Sequence, residues 1–302
     1  MRQLHHAEGQ MTGRVAALDA ALLRSWPLPL DENGDKLSRG TVLVIAGSTT
    51  TAGAALLAGT AALRMGAGRL QIATAAPIAV GLSIAMPEAM VLPLPVDGDQ
   101  HLLADDGARA LTKHLAEAQA VLVGPGMSGL PAICAILKEA ATAMAPDAVL
   151  VADAAALEGL ATLDREVIRP LANRLLLTPN RQELDTLAAG LASPITDEDS
   201  AAGVARELGA VVTCFGELTS FDGSRWSAER ATPGLGTSGS GDVLAGLAVG
   251  AGARCGDPAQ AACWATYVHG VAGNRLSQRV GTTSFLAREL LDEVPHVLAT
   301  LD

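Results

Sequence analysis

Five short apolar runs recur along the chain with helix-like stretches between them. They are TVLVIAG from Thr41, RLQIATA over 69–75, AVLVG over 120–124, AVLVADA over 148–154 and RLLLT over 174–178. Runs this short and this rich in Val, Ile and Leu read as strands buried on both faces, the pattern of parallel strands covered by helices. The segment AGAALLAGTAALRMGAG after the first run is a helix of small residues, able to approach a neighbour closely. The alternation predicts an α/β fold: a doubly wound, mostly parallel sheet flanked by helices. A helical segment over 195–208 precedes a change of texture. There AVVTCF, LTSFD and SRWSA are short and separated by Gly or Asp-Gly turns, which predicts short antiparallel edge strands near the C-terminal third. Two long buried helices, 241–250 and 258–276, are expected to follow.

Composition narrows the function classes. Aromatics make up 2% of the 302 residues and the formal net charge is −11, which argues against stacking platforms for single-stranded nucleic acid and against a polyanion-binding surface. No nucleic-acid partner is expected. Lysine occurs only at positions 36, 113 and 138, so any bound phosphate is expected to be held locally, by backbone amides and a few arginines. The four cysteines form no CxxC pair and read as buried free thiols. The N-terminus MRQLHHAEGQ lacks an apolar signal core, and no run approaches the ~18 apolar residues that span a bilayer. A cytoplasmic protein without a membrane partner is expected.

In doubly wound sheets, ligands bind beyond the carboxyl ends of the strands. Glycine-bearing segments fall there: AGSTTTAGA after the first run, VGPGM after a middle one and TPN after RLLLT. A fourth, TSGSGDVLAG over 237–246, leads directly into an apolar helix. Helix starts carry outward N–H groups that attract anions. Asp242 at that junction has two readings, a helix N-cap or an acid–base group acting on a bound substrate. His269, on an apolar helix, reads as a hydrogen-bonded core histidine rather than a base. Trp226 reads as edge packing.

The ordered set IAGSTTTAGA (45–54), VGPGM (123–127), LLTPNRQEL (176–184), PGLGTSGSGDVLAG (233–246) and YVHGVAG (267–273) resembles the ADP/ATP-dependent (S)-NAD(P)H-hydrate dehydratases of the ribokinase-like superfamily. The resemblance divides the chain into a leader, 1–36, and a dehydratase domain, 37–302. It implies dehydration of hydrated NADH and NADPH through phosphorylation of the hydrate hydroxyl and elimination of phosphate, with ADP or ATP as donor and Mg²⁺ as cofactor; a homo-oligomer is expected, the small-residue helix 54–62 suiting subunit contacts as well as core packing. Asp242 then acts in catalysis and on the substrate. Gly47, Gly53, Ala54, Gly124, Gly126 and Asn180 line the hydrate site. Thr237, Gly239, Ser240, Gly241 and Cys214 lie against the adenine nucleotide. Glu183 and Asp153 are the candidates to hold magnesium through water; Glu183 reads equally as a solvated helix-start carboxylate, and Asn180 as a turn residue after Pro179.

The chain departs from the family pattern at a few positions. Asn180 stands where the family has histidine, the second acid after Asp153 is absent, and the lysine usual near Cys214 is missing; Arg225 and Arg230 are the candidate arginines that follow it in sequence. A small-molecule kinase of the same fold shares the glycine loop and its Asp. A non-catalytic nucleotide-binding paralogue is the third reading.

Overall fold

The computed structural model describes residues 15–30, 38–191 and 199–301. Residues 31–36 of the leader and the first part of the helical segment expected over 195–208 lie outside them. Ten strands form one sheet: β1 (Val15–Leu18), β2 (Thr41–Ile45), β3 (Arg69–Ala75), β4 (Ala89–Leu94), β5 (Ala120–Val123), β6 (Val149–Ala152), β7 (Leu175–Leu177), β8 (Ala210–Cys214), β9 (Glu217–Ser220) and β10 (Arg225–Ala228). The helices are α1 (Ala20–Ser25), α2 (Ala52–Arg64), α3 (Ala76–Ala85), α4 (Ala104–Glu117), α5 (Leu130–Ala143), α6 (Ala155–Thr162), α7 (Arg165–Ile168), α8 (Arg181–Gly190), α9 (Ser200–Leu208), α10 (Ser240–Cys255), α11 (Pro258–Arg279) and α12 (Ala287–Leu298).

Spatial order is β1-β10-β9-β8-β7-β6-β5-β2-β3-β4. From β4 across to β8 every pairing is parallel. The expected antiparallel edge is narrower than its three segments suggested. AVVTC joins the parallel array as β8, and β9 alone runs against both of its neighbours. The outermost strand is β1, parallel to β10 and drawn from the leader. That segment is pinned to the fold: Trp264 Nε1 and Gln260 Nε2 each donate to the Trp26 carbonyl at 2.9 Å. Trp26 also stacks against Trp226, ring centroids 6.4 Å apart, so Trp226 is edge packing as expected.

Side chains alternate across the buried strands. In β2, Val42 and Val44 enter a core shared with α2, α10, α11 and α12, while Leu43 and Ile45 enter one shared with α4, α5, α6 and α8. The small residues of α2 permit its contact with α10. A Cβ on Gly246 would lie 2.3 Å from the Ala58 carbonyl oxygen, and one on Gly250 would lie 2.6 Å from that of Ala62. Only glycine lets the two backbones come this close. Among the described residues, no helix is long and apolar enough to cross a membrane.

β2 lies between β3 and β5, and from it the sheet grows in both directions. This is the topological switch point, where open α/β sheets leave a crevice for ligand beyond the strands' carboxyl ends.

Candidate active site

The loops after β2 and β5 meet over that crevice. Gly47 N–H donates to the Pro125 carbonyl at 2.8 Å, and the Thr51 hydroxyl donates to the Gly126 carbonyl. A Cβ on Gly126 would press on Ala54 Cβ at 2.7 Å, so the structure brings Gly47, Ala54 and Gly126 into one wall. Gly53, in the first turn of α2, faces open space. Gly124 takes φ 124°, and a Cβ there would lie 1.9 Å from the Asp153 carbonyl oxygen. The GPG loop and the end of β6 therefore fit together only through a glycine.

Asp153 is buried, 4% exposed, and its carboxylate accepts a 2.7 Å hydrogen bond from the Thr178 hydroxyl at the end of β7. Burial pushes its pKa up to about 7, opposed by the Thr178 hydrogen bond and reinforced by the charges of Glu183 and Asp242. Ala154, next in the chain, sits at φ 46° and ψ −113°, a conformation costly for any residue with a Cβ. Strain is thus concentrated beside a buried acid at the mouth of the sheet.

Over this rim stands the start of α10. Its C-terminal half crosses the opposite end of the sheet, where a Cβ on Gly252 would approach Val149 and Ala120 at 3.3 and 3.6 Å. Its N-terminus therefore lies at the carboxyl ends of the strands. Gly239 is the N-cap, at φ 88°, with no side-chain cap, and Asp242 is in the first turn. This removes the N-cap reading of Asp242. Thr237 contributes its carbonyl to Ser240 N–H, which closes the loop and leaves the first-turn amides of Gly241 and Asp242 outward. Partial burial pushes the Asp242 carboxyl up to about 6. His269, buried on α11, places Nε2 3.0 Å from Ser240 Oγ and 3.1 Å from the Ser240 carbonyl oxygen. Burial lowers its pKa to about 4, so it stays neutral and braces the loop, as a core histidine should.

Three expected ligands have other employment. Asn180 is the N-cap of α8: its side chain accepts from Glu183 N–H, and Glu183 returns the bond to Asn180 N–H, both at 2.9 Å. This capping box was readable from the N-x-x-E spacing. Glu183 is thereby committed to backbone, and Asp153 is buried, hydrogen-bonded and half protonated near neutral pH. Among the described residues, no three His, Cys, Asp or Glu side chains gather to hold a metal ion. The donor set does not fit a protein-held magnesium on the Asp153–Glu183 pair. Cys214, expected against the nucleotide, points into the core at 8% exposure, and burial raises its thiol pKa.

The cation whose charge reaches Cys214 is Arg181, in the first turn of α8, which sequence proximity could not reveal. Arg225 is ion-paired with Asp199. The residue that reaches the rim beside Cys214 is Phe215, 77% exposed, which the sequence reading passed over.

A sequence profile of the NAD(P)H-hydrate dehydratases matches residues 42–296. The chain belongs to the NAD(P)H-hydrate dehydratase family. It is 42% identical over 297 residues to an ADP-dependent (S)-NAD(P)H-hydrate dehydratase of Xanthomonas campestris, covering 96% of this chain and 99% of that one. It is 35% identical to a bifunctional NAD(P)H-hydrate repair enzyme of Moorella thermoacetica, over 94% of this chain and 54% of the relative. In structure it is similar to the ADP/ATP-dependent NAD(P)H-hydrate dehydratase of Bacillus subtilis co-crystallised with ATP/Mg²⁺ (TM-score 0.78, 25% identity, 96% of this chain and 100% of that one). All five motif segments of this dehydratase family member lie within the matched span.

Proposed function

We propose that this dehydratase restores hydrated NADH and NADPH by ADP-dependent dehydration of the (S) hydrate. The observation that carries the reading is the pairing, in one helical turn, of outward amides at Gly241 and Asp242 with a carboxyl whose pKa is raised to about 6. A raised carboxylate is a stronger base than an ordinary one yet remains mostly ionised above pH 7. Asp242 accepts the proton of the hydrate hydroxyl as that oxygen attacks the terminal phosphorus of the nucleotide. The phosphorus–oxygen bond to the nucleoside monophosphate breaks as the new one forms. The amides at the start of α10 hold the phosphoryl oxygens while charge spreads over them.

Phosphate then leaves the ring carbon with its bonding pair, pushed by the lone pair of the ring nitrogen. Loss of the neighbouring proton closes the double bond of the dihydronicotinamide. The loops at Gly47, Gly53 and Ala54 and at Gly124 and Gly126 take the hydrate on the β2–β5 side of α10. The nucleotide takes the side toward β8, against Thr237 and Gly239, while Ser240, buried and held by His269, braces the loop from behind. Among the described residues no side-chain cluster would cage magnesium, which would supply charge neutralisation to the transferring phosphate.

The test is direct. Hydrated NADH, Mg²⁺ and ADP are incubated with the protein and the dihydronicotinamide absorbance is followed. Absorbance should rise with release of phosphate and AMP. Stable phosphorylation of an alcohol without that rise would instead make the chain a kinase of the same fold.

A further inference from the structure

Phe215 is poorly placed for folding. It and Gly216 form the two-residue connection of the β8–β9 hairpin, in which Cys214 pairs with Glu217. Both take positive φ, 51° and 86°. Such turns favour Asn, Asp or Gly at the first position, and a bulky side chain there is strained. The ring gains nothing in return, since it is 77% exposed. The chain has three Phe, three Trp and one Tyr, all among the described residues, and Phe215 alone of these is exposed.

Its position explains the arrangement. Val212 of β8 is level with Leu177 of β7, and that with Ala152 of β6. Phe215 therefore lies on a strand two away from that of Asp153, about 10 Å across the sheet at ordinary strand spacing, and two residues further beyond the rim. Asp153 in turn lies within electrostatic reach of Asp242 at the start of α10. A nucleotide with its phosphates on the amides of Gly241 and Asp242 and extending toward β8 would run in the direction of Phe215. The hairpin is tied to the same helix pair: Thr213 and Thr266 hydroxyls meet at 2.9 Å, linking β8 to α11, whose His269 holds Ser240. On the opposite side, Trp226 is already engaged with Trp26.

We propose that Phe215 is the stacking platform for the nucleobase of the phosphoryl donor. The inference rests on the reading that the start of α10 holds the donor's phosphates. A ring carried on a short hairpin turn offers its face to a planar base, and such stacking contributes roughly 5- to 150-fold in affinity.

Two variants separate binding from folding. Phe215→Asn removes the ring and suits the turn better; Phe215→Tyr keeps a ring. ADP is titrated calorimetrically into each, with thermal unfolding and the hydrate KM at saturating ADP measured alongside. Phe215→Asn should weaken ADP binding about 5- to 150-fold with an unchanged or higher Tm and an unchanged hydrate KM, and Phe215→Tyr should bind as the wild type does. Unchanged ADP affinity in Phe215→Asn, a loss in hydrate KM instead, or equal weakening in Phe215→Tyr overturns the assignment while leaving the dehydratase reading intact. Absence of ADP binding to the wild type overturns the nucleotide site itself and the platform with it.

Discussion

His269 and Ser240 lock the start of α10 to α11: one imidazole nitrogen faces both the hydroxyl and the carbonyl of Ser240 at 3.0 and 3.1 Å. Because burial lowers the His269 pKa to about 4, below its ordinary 6.5, the unfolded chain binds a proton that the folded one refuses. Stability from this site is full above pH 6.5 and is lost as pH falls from there to about 4. His269→Gln should flatten that acid limb in thermal unfolding measured from pH 4 to 8. An unaltered limb would show that another group controls it.

Asp153 carries the opposite sign. Its carboxyl is raised from 3.8 to about 7, so the folded state holds the proton longer and stability falls as pH rises from about 4 to about 7. Asp153→Asn preserves an acceptor for Thr178 and removes the buried charge. The variant should unfold at a higher temperature than the wild type at pH 8, with the difference vanishing near pH 4. A gain independent of pH would point to packing rather than charge.

The α2–α10 contact has no room for a methyl group. In Gly246→Ala the new Cβ meets the Ala58 carbonyl at 2.3 Å, and the helices must separate. A cost of about 1–3 kcal/mol is expected from overpacking, read by denaturant unfolding. A neutral result would mean that the α10 backbone shifts freely, and with it the amides at its start.

Cys214→Lys tests whether the family's missing lysine could return at that position. The thiol is buried at 8% exposure, so an ammonium there would be desolvated, and the variant should lose stability without tighter ADP binding. Tighter ADP binding with intact stability would place the side chain at the rim instead.

The parallel sheet was legible because β2, β3, β5, β6 and β7 are short runs of branched apolar residues, a pattern few other structures produce. β1 was not: its four residues VAAL are partly exposed and find β10 only through a pairing more than two hundred positions away. β4 was hidden by Pro93 within it, which an edge strand tolerates and a central one does not. At the site, the loop glycines and Asp242 stood out through the family motifs. Asn180 and Glu183 each read equally as a ligand or as a residue of the turn and helix start, and their spacing spelled the capping box that decides for the second. Phe215 escaped because an aromatic beside a strand reads as core, and only the backbone angles and exposure show it turned outward.

The central claim is that Asp242 removes the hydroxyl proton of the hydrate. Its most direct test is turnover of hydrated NADH with ADP by Asp242→Asn beside the wild type, with ADP affinity measured on both. Asparagine keeps the size of the side chain and cannot accept the proton, so kcat should fall roughly 100-fold or more while ADP affinity stays within a few-fold. The wild-type kcat/KM should rise with pH through about 6, the value to which burial raises this carboxyl, and then level off. Near-normal turnover in Asp242→Asn, with the same pH profile, would contradict the account.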